Sequence, residues 1–263
     1  MAQNGLPITE GNVDGTQAIR RAAAILRRIG QSNSQGVGLM AITEALQLPR
    51  STTHRILKCL VEEGLVKHEQ ERRRYVTGRL TYELGLAVTS DALEIAQWRA
   101  AVDRVAQRTG VTSYLMSRSG IEATCLLKTD GSAVIRVIPV DVGQRRFLGV
   151  GAGSTALLAA LDPDSAERII ATIAPSLRDY PGLTEAVIRR IVDDARVTGF
   201  AVSRSNVVND VIGIGMAIPS TDGTPYLALS IAAVASQTDD RAVDAWKQII
   251  RQEIDAVLKR ANS

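Results

Sequence analysis

The stretch 51–63, set between Pro49 and Gly64, constrains this chain more than any other. Pro49 loses nothing at a helix start, where its missing N–H would be unpaired anyway. Gly64 accepts the left-handed geometry that ends a helix. At 3.6 residues per turn, Ile56, Leu57, Leu60 and Val61 fall on one side, with Thr53 among them. The other side carries Ser51, Arg55, Lys58 and Glu62, flanked by Thr52 and Cys59. One face is made to be buried, and the other shows hydroxyls and cations. Apolar spacing predicts two helices before it, over 16–29 and 40–46. In the first, Ile19, Ala22, Leu26 and Ile29 form the inward face, and Thr16 or Asp14 caps the start. After Gly64, residues 65–77 read as two short strands around a polar turn. The order is helix, helix, helix, hairpin.

The charge follows this division. Residues 1–80 hold 12 Lys and Arg against 7 Asp and Glu, a net +5, whereas residues 81–263 hold 19 against 21, a net −2. A basic module on a mildly acidic remainder suits a polyanionic partner. Both histidines, His54 and His68, lie in the first third. The remaining 183 residues therefore supply no His-based triad, Cys–His pair or His-ligated zinc site of their own. A carboxylate-only metal site or Asp/Glu catalysis stays open on these grounds, but no DxD or ExxE-type pairing is placed to suggest it, so catalytic residues, metal ligands and cofactors are expected to be none. Two cysteines, Cys59 and Cys125, make no disulfide framework, which points to a reduced, cytoplasmic setting. The first fifteen residues show no secretory pattern, no apolar run is long enough to cross a bilayer, and no membrane partner is expected.

Residues 1–13 read as a flexible tail and 14–78 as the first module. Residues 79–109 read as helical with a break near 89–92, so 79–91 serves as a linker helix. Its segment LTYELGLAV is apolar on one side and suits linking domains or pairing with its own copy. Residues 92–263 form a second domain. There, strands are predicted on either side of Ser119-Gly120, over 134–140, and over 211–218 and 225–234, the last two joined by a turn at Thr221-Asp222-Gly223. Helices are predicted near 153–161, 164–173, 184–197 and 239–260.

A helix built like 51–63 suits reading DNA. Its N-terminal residues reach base edges, while cations and hydroxyls hold phosphates. The candidates are Arg50, Ser51, Thr52, His54, Arg55 and Lys58. Arg72, Arg73 and Arg74 stand at the hairpin turn, placed as a wing against the backbone or minor groove.

The stretch LMAITEALQLPRSTTHRILKCLVEEGLVKHEQERRRYVTGRLTYELG resembles the winged helix-turn-helix of the IclR family of bacterial transcriptional regulators. The core Pro49-Arg50-Ser51-Thr52-Thr53-His54-Arg55-Ile56-Leu57 carries the likeness, and Gln47 departs from it, standing where the family commonly has Gly. The likeness continues through 143–159, GQRRFLGVGAGSTALLA, where the family's usual His and Gly-Lys are replaced by Gly149 and Ser154-Thr155.

Taken by itself, GVGAGST is a Gly-rich turn opening a helix. It serves either to cradle an anion or to make a turn needing positive φ. The two late strands alternate. Ile212, Ile214, Met216 and Ile218 lie opposite Gly213, Gly215 and Ala217, while Leu227, Leu229, Ile231 and Ala233 lie opposite Tyr226, Ala228, Ser230 and Ala232. The small faces leave room for a closely packed helix or for a cavity.

The resemblance implies a cavity that takes a small effector, frequently a carboxylic acid or aromatic metabolite. Carried over by motif, its wall is Ile135, Ile138, Ala152, Gly153, Ser203, Gly213, Ser230 and Ala232, with Arg145 or Arg204 as candidate counter-charge. The expected architecture is α+β: an N-terminal winged helix-turn-helix joined by a linker helix to a GAF-like effector domain with an antiparallel sheet flanked by helices. The expected activity is metabolite-controlled binding to a palindromic double-stranded operator, most often repression, by a homodimer or dimer of dimers. Two rivals stand beside it: a DNA-binding protein whose C-terminal domain only oligomerises, and an enzyme with a basic adaptor.

Overall fold

The computed structural model describes residues 16–32, 35–134, 139–220 and 223–261, with no side-chain description for 89–94 and 261. The predicted tail 1–13, Asp14, the turn residues Thr221 and Asp222, and most of the predicted strand 134–140 lie outside the described residues. The flanking residues Val134, Pro139 and Val140 belong to no strand. The chain divides into two compact units between Ala92 and Leu93.

In the first unit, α1 (Gln17–Gly30), α2 (Leu39–Leu46) and α3 (Arg50–Glu62) precede a hairpin of β1 (Val66–Glu69) and β2 (Arg74–Thr77). Ile25, Ile29, Ile42, Leu57, Leu60, Val66 and Tyr75 form its core. The inward face of α1 is rotated from the expected one: Ile25 is buried and Ile19 is 69% exposed. Ile19 lies in the first turn and Ile25 in the middle of the helix, where α1 meets α3 and β2. Val37, read from composition as loop, bridges to Tyr75 and extends the hairpin sheet. Pro49 is the N-cap of α3, not its first turn. Gln47 ends α2 at φ +50°, in the left-handed region. The turn thus keeps the geometry a glycine would favour, although a side chain is present. Next comes α4 (Arg79–Leu86), which has no buried residue; Tyr82, Leu84 and Leu86 are more than half exposed. The helical break falls at Ala87-Val88, before α5 (Thr89–Thr109).

The second unit is built on an antiparallel sheet of order β5-β4-β3-β8-β7-β6. Its strands are β3 (Thr112–Ser119), β4 (Glu122–Thr129), β5 (Arg145–Phe147), β6 (Ala201–Arg204), β7 (Val211–Ala217) and β8 (Leu227–Val234). The sequence reading missed the two edge strands, β5 and β6. At three and four residues they are too short to show alternation. On one face Leu115, Leu127, Ile214, Leu229 and Ile231 meet α5 and α9 (Asp240–Ala261) through Trp98, Val102, Val105, Ile250 and Ile254. On the other face lie α6 (Ala152–Ala159), α7 (Pro163–Ile173) and α8 (Glu185–Thr198), with Leu157, Leu158, Ile170 and Ile188 in the core. Among the described residues no helix is long and apolar enough to cross a membrane.

The small-residue faces of β7 and β8 answer both alternatives left open. A Cβ on Gly215 would stand 2.6 Å from the carbonyl carbon and oxygen of Ala152, and one on Gly153 would stand 2.8 Å from Ser230 Oγ and Met116 Cγ. Helix α6 therefore rests directly on the sheet backbone. Where its first turn begins, the packing opens into a cavity.

Candidate functional site

Helix α3 exposes the expected face. Arg50, Ser51, His54, Arg55, Lys58 and Cys59 are exposed, Thr52 is half-buried, and Thr53, Leu57 and Leu60 are buried. Thr53 donates its hydroxyl to the Pro49 carbonyl at 3.2 Å, an inward bond that leaves the outer face to its neighbours. Lys58 stands 3.7 Å from Glu62, with both side chains mostly in water. Such a pair contributes little and releases readily. Arg50 and Arg55 have no acidic partner among the described residues. The hairpin turn holds Arg72 and Arg73 exposed, with Arg73 at φ +50°. Arg74 differs: it donates to the Gly36 carbonyl at 2.9 Å and so braces the hairpin. His68 stacks on Tyr75 with ring centroids 4.5 Å apart, which leaves His54 as the histidine on the α3 face.

In the second unit a cavity of about 70 Å³ opens at the start of α6. That is several times the ~10–15 Å³ of comparable space that one water needs. Ala152, Gly153, Ser203, Gly213, Ser230 and Ala232 all line it, so six of the eight carried-over positions come together. Ile135 and Ile138 lie outside the described residues. Sequence reasoning missed Tyr114, Met116, Arg146, Val207, Val208 and Val211. The alternation of β3 could have flagged Tyr114 and Met116, since Tyr114 is the register partner of Ser230.

The charge in this cavity is not the one expected. Arg145 pairs with Glu122 at 2.8 Å, and Arg204 pairs with Asp240 at 2.8 Å; neither lines the cavity. Arg146 lines it instead. Arg146 donates to the Tyr180 hydroxyl at 3.1 Å and to the Pro139 carbonyl, both neutral acceptors. No Asp or Glu lines the cavity among the described residues. Helix α6 adds to the positive side. Gly151, at φ +94°, turns the chain into the helix, and Ala152, Gly153 and Ser154 form its first turn. First-turn N–H groups have no intrahelical acceptor and carry the positive end of the helix dipole. The Ser154 hydroxyl is occupied, donating to the Val150 carbonyl at 2.6 Å. Burial pushes the Tyr114 phenol well above its ordinary value, so Tyr114 is neutral and can donate. Asn206 fixes the loop between β6 and β7: its Nδ2 donates to the Gly182 carbonyl at 3.1 Å, and its Oδ1 accepts from the Arg204 N–H at 3.0 Å.

The two units each match a known domain. A family model of the IclR helix-turn-helix domain matches residues 18–70, and one of the bacterial transcriptional regulator IclR C-terminal domain matches residues 87–258. The chain belongs to the IclR family. This IclR-family protein is 26% identical to the HTH-type transcriptional repressor AllR of Klebsiella pneumoniae, over 87% of this chain and 84% of that one. It is 24% identical to the HTH-type transcriptional regulator TtgV of Pseudomonas putida, over 93% and 92%. Among solved structures, an IclR transcriptional regulator from Alicyclobacillus acidocaldarius shares the fold with TM-score 0.74 at 21% identity, over 94% of this chain and 98% of that one. An IclR homolog from Microbacterium hydrocarbonoxydans, complexed with 4-hydroxybenzoate, does so with TM-score 0.70 at 22% identity, over 92% and 97%. The family and these relatives are transcriptional regulators and not enzymes, which removes the reading of an enzyme with a basic adaptor. For this IclR-family chain the α+β fold and the order of its two domains follow the expectation.

Proposed function

We propose that this IclR-family regulator is a repressor that binds a palindromic operator as a homodimer or dimer of dimers in the cytoplasm and is controlled by a small organic acid. The observation that carries the effector reading is Arg146. A guanidinium with only neutral acceptors, in one cavity with the first turn of α6 and with Met116, Val207, Val208 and Val211, fits an anion with an apolar body. A carboxylate would lie toward Arg146 and the first turn of α6. An aromatic or aliphatic body would lie on the valines; the Microbacterium relative is complexed with one such aromatic acid, 4-hydroxybenzoate. An arginine in a cavity without a carboxylate among the described residues favours a ligand pocket over a domain serving only to oligomerise.

The operator reading rests on α3 and the hairpin turn. Arg50, Ser51, Thr52, His54, Arg55 and Lys58 would meet the major groove, with Arg72 and Arg73 on the flanking backbone. The exposed Tyr82, Leu84 and Leu86 of α4 support self-association, since a run of large apolar side chains in water marks a contact surface. Two copies would bring two recognition helices to half-sites about one turn of DNA apart.

The test is selection of bound duplexes from a random pool at near-physiological salt, with the full chain. An inverted repeat is expected, and 4-hydroxybenzoate together with simple aliphatic acids is then screened for release. Recovery of no sequence above background, with and without those acids, overturns the operator reading.

A further inference from the structure

Strand β3 stands between the cavity and α5 and is held from both sides. Tyr114 and Met116 line the cavity. Ser113 precedes Tyr114 and therefore faces the opposite side, where it is fully buried. Its Oγ donates to the Val102 carbonyl of α5 at 2.6 Å. Ser113 is in register with Thr129 of β4, whose Oγ1 donates to Asp103 Oδ1, also at 2.6 Å. Two hydroxyls at one cross-strand position thus grip two consecutive residues of α5. The helix needs neither bond for its own ladder, because the Val102 carbonyl already has the Ala106 N–H as its i+4 partner. The rest of the interface, Leu115 and Leu127 against Trp98, Val102 and Val105, is apolar and non-directional.

A further grip lies one turn on. Glu253 of α9, 5% exposed, accepts from Arg104 Nε at 2.6 Å and Arg108 Nη1 at 2.8 Å. Helix α5 is thereby fixed to α9 at Arg104 and Arg108, and to the sheet at Val102 and Asp103. The division between the two units of the chain falls inside this same helix.

We propose that the Ser113–Thr129 hydroxyl pair is the coupling element that passes occupancy of the cavity to α5, and along α5 to the N-terminal unit. This rests on the effector reading above. A ligand seated against Tyr114 and Met116 displaces β3. Residues 110–111 tie the end of α5 to β3 through the chain itself; two turns back, at Val102 and Asp103, an apolar interface alone would let the helix slide, whereas directional hydrogen bonds carry the displacement into it. The anchor at Glu253 turns the displacement into a tilt of α5 about its α9 contact. Ser113 and Thr129 are positioning residues that never touch the ligand.

The test needs no identified effector. Ser230→Leu places a bulky side chain in the cavity beside Tyr114 and serves as built-in occupancy, with Ala232→Val as the substitute if that variant does not fold. Amide hydrogen exchange over residues 101–109 is measured in the full chain with each filling variant, alone and combined with Ser113→Ala and Thr129→Val. Filling the cavity is expected to change exchange in this segment by about 5-fold or more, and by less than about 2-fold once both hydroxyls are removed. Thr129→Ser, which keeps the hydroxyl, should preserve the response. An equal change in both backgrounds, or none on filling, overturns the proposal. A cavity that binds no acid in the screen above would leave this result intact, because exchange reads transmission and not ligand affinity.

Discussion

Arg146 reaches the phenolic oxygen of Tyr180 at 3.1 Å, across a cavity wall that bears no carboxylate among the described residues. A cation held by neutral acceptors keeps its charge available to an incoming anion. Arg146→Met should therefore weaken binding of any acid effector about 10- to 100-fold, the loss expected for one charge-assisted hydrogen bond of roughly 1.5–3 kcal/mol. Operator affinity without ligand should stay unchanged. Isothermal titration with the acid, and gel shift without it, separate the two effects.

Two arginines of the first unit should fail differently. Arg55→Ala, on the exposed face of α3, should reduce the ratio of specific to non-specific affinity by about 1–3 kcal/mol. Arg73→Ala should weaken binding to every duplex and reduce the salt slope by about one. Alanine at 73 is as strained at φ +50° as arginine is, so the loss reports charge alone. Affinities for operator and scrambled duplex across a salt series check both, and an unaltered specificity ratio in Arg55→Ala would falsify the orientation given to α3.

Gln47 keeps a left-handed backbone with a side chain attached. Gln47→Gly should raise stability by about 0.5–1 kcal/mol, since only glycine adopts this region freely. Gln47→Val should lower it, because branching at Cβ worsens the clash. Thermal midpoints of the full-length variants should follow the order Gly, Gln, Val.

Gly215 and Gly85 make a matched pair. A methyl on Gly215 meets the Ala152 backbone at 2.6 Å, whereas one on Gly85 meets nothing within 4 Å. Gly215→Ala should cost about 1–3 kcal/mol or prevent folding of the second unit. Gly85→Ala, inside α4, should be neutral or stabilise by about 0.5–1 kcal/mol. Urea unfolding distinguishes them.

Burial pushes the Glu253 carboxyl up, but hydrogen bonds from Arg104 and Arg108 outweigh it and hold the group below its ordinary value of 4.5. In this range the folded chain binds fewer protons at this site than the unfolded chain, so stability rises with pH. The contribution is complete above the ordinary glutamate value and disappears as pH falls through the lowered one. Glu253→Gln should cost about 1–3 kcal/mol at pH 7, discounted because Arg104 and Arg108 remain a third or more exposed. It should also flatten the acid limb of the stability curve, as urea midpoints at pH 7 and pH 3.5 would show.

Much of the first unit was legible because its rules are local. Proline at the start of α3, the amphipathic spacing after it and the hairpin composition each follow from a few neighbouring residues. Ile25 was not legible as the buried residue in place of Ile19, because only packing against α3 and β2 decides which turn of α1 faces inward. The second unit was harder for the same reason. β5 and β6 become strands through pairing with β4 and β7, not through their own patterns. Arg145 and Arg146 look alike in the sequence, and only Glu122 on the neighbouring strand ties down the first of them. The cavity was half legible: small residues on β7, β8 and the α6 turn pointed to it, but Tyr114 and Met116 entered through the register of β3 with β8.

The seating of α6 on the sheet divides the cavity into two kinds of wall. At Gly153 and Gly213, which line it, an added Cβ would stand 2.8 Å from Ser230 Oγ and Met116 Cγ in the first case and 3.0 Å from Ala152 Cβ in the second, so a larger side chain enters only if those neighbours move. Along Val207, Val208 and Val211, loop and strand-start residues form the boundary, and Val208 is 40% exposed. A chain of this design can change what it recognises by substitution on the valine side while the glycine side stays fixed. Changes in ligand preference over evolutionary time are therefore steered toward a few positions between β6 and β7, and the fold itself sets the direction in which a new specificity can arise.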